Sequence, residues 1–424
     1  MRLLLVSVLL IVVAPLATEQ TGSAIERFQS LQAKLRESRT AKDWPANLAS
    51  TKQLKDLLNE DPASLLEVAR AQVHVGDLTA AFRELEQFIR MGQSTDLLAQ
   101  SPDFAALRNS DEFPKIQSGM EANRSPISLG STAFQLPDSG LLAEDVDYDP
   151  SAHRFLVTSV REKKIVVINT SGANSDFAKA PDSWPMLAIK IDRARHLVWA
   201  TEVALQGFSS VSKSDWGRSA ILCYDLKSGK LLQRVEGPKG SALGDMALMD
   251  NGDIIVSDGD GGGVYRLAEK STVLNRLDNG DFLSPQTPAM HPDGEHIFVP
   301  DYLRGIAVLD ISTKQVCWLS TEGKFAINGI DGLYFDRGRL IAMQNGTSPE
   351  RVVIFTLDAT LSGIEGETII ERSSRTLGDP THGVVVGKDF YYLANSGWDR
   401  LDDHGEIKPG AKPSASRMMR AVLK

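Results

Sequence analysis

From residue 143 onward, apolar and polar positions alternate in short runs separated by tight turns, the period of half-buried β-strands. Residues 328–345, NGIDGLYFDRGRLIAMQN, show the unit: polar Asp331, alternating Leu333 and Phe335, an Asp-Arg-Gly turn, and an apolar run ending on polar Asn345. The unit recurs as AEDVDYDPSAHRFLVTS from Ala143, MLAIKIDRARHLVWATE from Met186 and GDMALMDNGDIIVSD from Gly244. It appears again as PQTPAMHPDGEHIFVPD from Pro285 and THGVVVGKDFYYLAN from Thr381. The position equivalent to Asp331 falls at Glu144, Leu187, Asp245, Gln286, Asp331 and His382, in steps of 43, 58, 41, 45 and 51 residues. Repeats of roughly 40–50 residues, each holding about four short strands, are propeller blades. No blade can bury both faces of its small sheet alone. Six copies therefore predict a mainly β fold, a six-bladed β-propeller over 126–424.

Two strand-like segments lie outside the six units, 127–136 before the first and 417–423 after the last. An unclosed last blade exposes a strand edge, so 127–136 is expected to complete blade six as its outer strand, beside 417–423. Over 24–123 the period is helical instead. Within 64–92, Leu66, Ala69, Val73, Ala80, Ala81, Leu85 and Phe88 recur at three- and four-residue spacings, and Gly76-Asp77 breaks the run into two helices. Two more helices are expected at 25–39 and 46–59. This segment resembles a tetratricopeptide array at Gly76-Asp77, Ala81 and Gly92, with 101–116 as its closing element. The resemblance implies either a scaffold for a protein partner or a packing partner for the propeller.

Residues 1–17 are one Arg and an eleven-residue apolar run, 3–13, followed by Ala14-Pro15-Leu16-Ala17. The run is short for a bilayer span and reads as a secretory signal over 1–23; an uncleaved anchor is the alternative. The expectation is a secreted or periplasmic protein with no integral membrane segment after signal removal. Hydrophobic content of 42% and charged content of 24% are those of a soluble globular chain. A net charge of −9 argues against nucleic acid and anionic membranes as partners. Cys223 and Cys317 fall in outer strands of blades two and four, which do not adjoin, so two free buried thiols are expected.

The six equivalent positions begin the innermost strands, so Glu144, Asp245, Gln286, Asp331 and His382 converge at one mouth of the channel, opposed by Leu187. Carboxylates this close need protons or a cation between them. Oxygen donors suit Ca²⁺, and His382 could admit Zn²⁺ or Mn²⁺; a wet channel whose polar groups only bind water is the other reading. The second strands return to the same mouth and end at Ser159, Glu202, Asp258, Asp301, Asn345 and Asn395. Two long loops, 203–218 and 396–416, are expected to roof it with Phe208, Trp216, Trp398, Arg400 and His404. Asp258, Asp301, Asn345, Asn395 and Trp398 are the candidate substrate-pocket residues. The DGDGGG run at 258–263 leads into a strand rather than a helix and reads as a turn.

This layout resembles the senescence-marker-protein/gluconolactonase (regucalcin-like) family of six-bladed propellers, over about 126–424. In that group a Glu of blade one, Asn residues of blades three and four and an Asp of blade five hold a catalytic divalent ion. Glu144 and Asp331, the latter in an Ile-Asp-Gly setting, match; Asp245 and Gln286 stand where the family carries Asn. The resemblance implies a lactonase- or phosphotriesterase-type hydrolase of a small ester or lactone. Its cation would be held by Glu144, Asp245, Gln286 and Asp331. Asp331 would orient or deprotonate the attacking water, or attack directly, and His382 would relay the proton. The two Asn departures favour the rival, a non-catalytic propeller that binds a protein or glycan.

Overall fold

The computed structural model describes residues 22–136, 138–169, 173–412 and 414–424, so the expected leader lies outside the described residues. Six antiparallel sheets stand around one axis. Blade one runs outward through Ala143–Asp149, Arg154–Ser159, Lys164–Asn169 and Asn174–Lys179. Blades two to five repeat that order from Met186–Asp192, Leu243–Leu248, Ala289–Met290 and Ile330–Asp336. The innermost strands touch in succession, and the sixth, Gly383–Val386, touches the first. Each sheet is apolar on both faces, so an apolar core forms between every pair of neighbouring blades. Leu156 and Ile165 of blade one meet Ile189, Ala200 and Leu222 of blade two, for example. The fold is stabilised between blades, not within them.

Blade six is completed as expected, because Ser131–Gln135 pairs with Arg417–Val422, which pairs in turn with Asp389–Leu393. The closing segment is nevertheless split. Ile127 and Ser128 pair with Arg372 and Glu371 at the outer edge of blade five. The chain crosses between the two blades at Gly130, where a Cβ would lie 2.7 Å from the Tyr392 hydroxyl. That hydroxyl donates to the buried Glu371 carboxylate, a second tie between blades five and six.

Helices Ala24–Ala41, Trp44–Leu57, Pro62–His74 and Leu78–Arg90 form two hairpins, the second broken at Gly76, whose φ of +86° suits glycine. Asp61 and Asp77 cap the third and fourth helices through their carboxylates. Phe113–Asn123 packs on the fourth helix, with Phe104, Leu107 and Ile116 in the shared core. The helices stand with their ends on blades three to five. Ala24 N–H donates to the Gly280 carbonyl at 2.9 Å. The Arg304 guanidinium lies 4.2 Å over the Trp318 ring and donates to the Leu57 carbonyl at 2.8 Å. Fully buried Arg351 donates to the Gln344 side chain at 2.6 Å, the Ala326 carbonyl at 2.9 Å and the Met91 carbonyl at 3.4 Å. Ser94 N–H donates to the Ser348 carbonyl at 2.6 Å. These contacts use the segment at Gly280, after the outer strand of blade three, and the loops beyond Asp301 and Gln344, so the helices stand at the end of the propeller to which the second strands return. Among the described residues no helix is long and apolar enough to cross a membrane.

Both cysteines are free, but only Cys223 is buried; Cys317 is exposed on the outermost strand of blade four, which corrects the expectation of two buried thiols. Burial pushes the Cys223 thiol up to about 12. Cys317 should therefore react with a thiol reagent in the native protein and Cys223 only on unfolding, and equal rates for both would contradict that burial.

Candidate functional site

The innermost strands do not enter their sheets regularly. In blade one Ala143 pairs with Ser159 and Val146 with Val157, leaving Glu144 and Asp145 opposite Thr158 alone. The same bulge takes up Leu187 and Ala188 in blade two and Asp331 and Gly332 in blade five. A bulge raises the local twist and re-aims side chains. In blade three the register shifts at Gly244. Since Val146 and Met246 are the matching core positions, Gly244 corresponds to Glu144, and Asp245 corresponds to Asp145. Asp245 still reaches the axis, but from one residue further along.

The axial cluster joins blades one, five and six: a carboxylate oxygen of Glu144, one of Asp331 and a ring nitrogen of His382 lie within 4.8 Å of one another. Each is held from behind. The Trp398 indole N–H donates to Glu144 Oε2 at 2.6 Å, and the Asn345 amide donates to Asp331 Oδ2 at 2.9 Å. The Tyr302 hydroxyl fixes Asn345 through its Oδ1 at 3.0 Å. His382 Nδ1 is 3.0 Å from the Glu144 carbonyl oxygen, which also accepts from the Thr381 hydroxyl at 2.8 Å. His382 Nε2 is 2.7 Å from Asp245 Oδ1, and the Thr287 hydroxyl donates to that same oxygen at 2.7 Å. A carbonyl and a carboxylate only accept, so both ring nitrogens donate and the ring is an imidazolium.

Its electrostatics agree. Burial alone would lower the His382 pKa, but the carboxylates of Asp145, Asp331 and Asp245 outweigh it and hold the ring well above its ordinary value. Burial raises Glu144 well above the usual carboxylate range; Asp331 adds to this, and His382 and Trp398 only partly offset it. Burial also pushes Asp331 up to about 7, reinforced by Asp245 and Asp379 against the opposing pull of His382 and Asn345. Two buried carboxylates, Glu144 and Asp245, and the half-buried Asp331 thus share one imidazolium. Nearby Lys190 is committed to Asp145 at 2.7 Å.

Of the residues expected at this mouth, the structure brings together Glu144, Asp331, His382, Asn345 and Trp398. Asp245 is drawn to His382 and Thr287, while Gln286 turns its amide nitrogen onto the Ser284 carbonyl at 3.3 Å and hydroxyl at 3.1 Å. Asp258 and Asp301 are not open pocket groups, because backbone N–H donors bind them: Ala242 and Gly261 at Asp258, and Leu283, Ser284, Leu303 and Arg304 at Asp301. Asn395 braces the strand at Arg417, accepting from its N–H at 2.8 Å. Thr287, Thr381 and Tyr302 carry contacts that the repeat pattern does not mark; each sits one residue from a position that it does.

The two long loops pack on each other over blade one. Ser209 N–H donates to the His404 carbonyl at 2.9 Å, and the Phe208 and Trp398 rings lie 6.1 Å apart. With Leu142, Leu187, Val203 and Leu401 they make an apolar roof beside Glu144. Trp216 packs instead around Trp184 and Val211.

Glu202, fully buried in blade two, is pushed up to about 7 by burial and by Asp182, against the pull of Arg234. The folded state then keeps a proton that the unfolded chain releases near pH 4.3, so stability falls as pH rises through that window. Glu202→Gln should match the native protein in urea melts at about pH 4 and exceed it at about pH 8; an unchanged pH slope would contradict the assignment.

No protein-family model matches this chain, and no curated protein does so significantly. Solved structures resemble it in shape. A calcium-binding protein, regucalcin from Agrobacterium tumefaciens, aligns with 70% of this chain and 96% of its own at 14% identity, with a TM-score of 0.50. A gluconolactonase from Xanthomonas campestris aligns over 69% and 88% at 13% identity, with a TM-score of 0.47. The PQQ-bound aldose sugar dehydrogenase of Streptomyces coelicolor aligns over 70% and 100% at 16% identity, with a TM-score of 0.48. At an identity this low, the regucalcin match with its TM-score of 0.50 shows a shared fold.

Proposed function

We propose that this chain is a hydrolase of small esters, of the lactonase or phosphotriesterase kind, working with a divalent cation at the propeller axis. One observation carries the reading: two proton-seeking carboxylates, buried Glu144 and half-buried Asp331, face each other beside a third, Asp245, with His382 as the cation among them. Such a cluster holds either a proton or a metal ion between its oxygens. Trp398 and Asn345 bind one oxygen of each carboxylate and leave the other to face inward. Two carboxylate oxygens suit Ca²⁺ first and Mn²⁺ next. His382, with both nitrogens donating, is not the ligand that Zn²⁺ would require. The fold shared with regucalcin, a calcium-binding protein, supports the cation.

A cation bound there supplies Lewis-acid polarisation of a carbonyl or phosphoryl oxygen. The chain's own residues do the rest. Asp331, fixed at Oδ2 by Asn345, would orient or deprotonate the attacking water. His382 acts as a fixed positive charge beside the charge that develops on the substrate, and Asp245 and Thr287 keep it protonated and in place. Leu187, Phe208, Trp398 and Leu401 exclude water from above, which suits a small, largely apolar ester or lactone. The helices stand at the same end of the propeller. The apolar run at 3–13 supports export, so the enzyme would act outside the cytoplasm.

The test begins with chelated protein. Ca²⁺ or Mn²⁺ should raise the unfolding midpoint, with about 2.7 kcal/mol gained at a hundred times the dissociation constant, and Glu144→Gln should remove most of that gain. A midpoint that ignores every divalent ion would sink the cation. Lactones and phosphotriesters assayed with saturating ion test the hydrolase; binding of the ion without turnover of either class would leave a metal-binding propeller.

A further inference from the structure

A second cluster of metal-ligating side chains lies far from Glu144, on the hairpin that joins the first two strands of blade four. His291 and His296 stand at the two ends of the turn, and His291 N–H donates to the His296 carbonyl at 3.0 Å to close it. Asp293 lies between them. Its Oδ2 is 2.8 Å from His291 Nδ1 and 2.7 Å from His296 Nδ1, so three ligand atoms of one short hairpin converge on one point. The other oxygen, Oδ1, accepts from the Glu295 and His296 N–H groups at 2.8 and 3.0 Å, which locks the carboxylate in that orientation.

Two further observations point to a cation rather than to a turn that is only hydrogen-bonded. The His291 ring is wedged edge-on against Phe298 and Phe335, at 6.0 and 5.3 Å, so its direction is set by packing. On the far side of His296, Asp310 Oδ2 stands 3.9 Å from Nε2, while Asp310 Oδ1 is tied down by Ser312 and Thr313. At 3.9 Å Asp310 is beyond hydrogen-bond distance and acts on His296 as a nearby negative charge, and such a charge raises the basicity of an imidazole.

The geometry points to a second metal site, with His291 Nδ1, Asp293 Oδ2 and His296 Nδ1 as ligands and Asp310 as the outer partner of His296. Two imidazoles and one carboxylate are a donor set for a borderline ion, Zn²⁺ foremost, with a fourth position left to water or an incoming ligand. The contacts of 2.7 and 2.8 Å are shorter than the roughly 3.3 Å edge of a tetrahedron with bonds of about 2.0 Å. Entry of the ion therefore needs only a small outward rotation of side chains that are a quarter to a third exposed. This site shares no residue with the axial one and does not depend on its reading.

The test is a Zn²⁺ titration by calorimetry on tag-free, full-length Glu144→Gln/Asp331→Asn protein, in which the axial carboxylates are neutralised. One Zn²⁺ per chain should still bind, and Co²⁺ in its place should show the visible absorption of a tetrahedral centre. Adding His296→Asn should abolish that binding, and Asp310→Asn should weaken it on the order of 10-fold. Asp293→Asn keeps an oxygen for the turn's N–H groups and controls for a folding defect: its unfolding midpoint in chelator should be nearly that of the parent, with Zn²⁺ binding lost. Absence of Zn²⁺ binding in the parent, or binding that survives His296→Asn, would overturn the site.

Discussion

Asp331→Asn should lower turnover by about 10²–10⁴-fold, the usual worth of a positioned general base, while weakening cation binding far less. The substitution keeps the volume and one oxygen, which can face either the ion or the Asn345 amide that donates to Oδ2 at 2.9 Å. It removes the group that accepts a proton, and one of the three carboxylates whose charge holds His382 protonated. Turnover and metal affinity measured on the same preparation separate the roles. Equal, small losses in both would sink the catalytic assignment and leave the binding site standing. Stability should rise slightly in chelator, because a carboxyl that burial pushes up to about 7 costs folding free energy at neutral pH and an amide does not.

Deleting residues 417–424 should abolish cooperative folding of the whole propeller. Arg417–Val422 is an interior strand of blade six, paired to Asp389–Leu393 on one side and to Ser131–Gln135 on the other. It also fills two interblade cores, with Met418 against blade one and Met419, Ala421 and Leu423 against blade five. Its loss strands the closing segment and opens the ring at both neighbours. Met419→Ala is the graded version. It truncates a side chain only 2% exposed and should cost about 2–5 kcal/mol in urea unfolding. A truncated chain that melts in one transition near the native midpoint would show that ring closure contributes little.

The repeat made the fold legible because blade geometry is written locally. Each unit carries its own alternation and turn, and each sheet's two apolar faces require a neighbour. Alternation also located blade closure, though not the crossing at Gly130 that gives Ile127 and Ser128 to blade five. The site was legible only in part. Glu144 and Asp331 stand out as polar residues opening apolar strands, and their meeting follows from six strands running along one axis. Asp245 was aligned with Glu144 as the polar residue that opens its strand, whereas Met246 pairs as Val146 does and puts Asp245 at the position of Asp145. Asp258 and Asp301 look like pocket carboxylates in sequence, yet they bind the backbone of their own loops, a use that composition cannot distinguish from ligand binding.

What the sequence by itself determined is the number of blades, their order and the two acidic strand starts, since these depend on period and on side-chain type. Tertiary structure alone decided what each polar group faces. His382 became a fixed charge because Asp245 of blade three and the Glu144 carbonyl of blade one close on its two nitrogens, contacts between residues more than a hundred positions apart. Trp398 met Glu144 because a loop of blade six folds over blade one. The helices came to stand at the same end of the propeller through Arg304 and Arg351, two guanidiniums whose buried positions satisfy carbonyls of the helical segment. Hydrophobic periodicity is a property of a segment, whereas the protonation and orientation of a buried group are set by whichever distant atoms surround it in the folded chain.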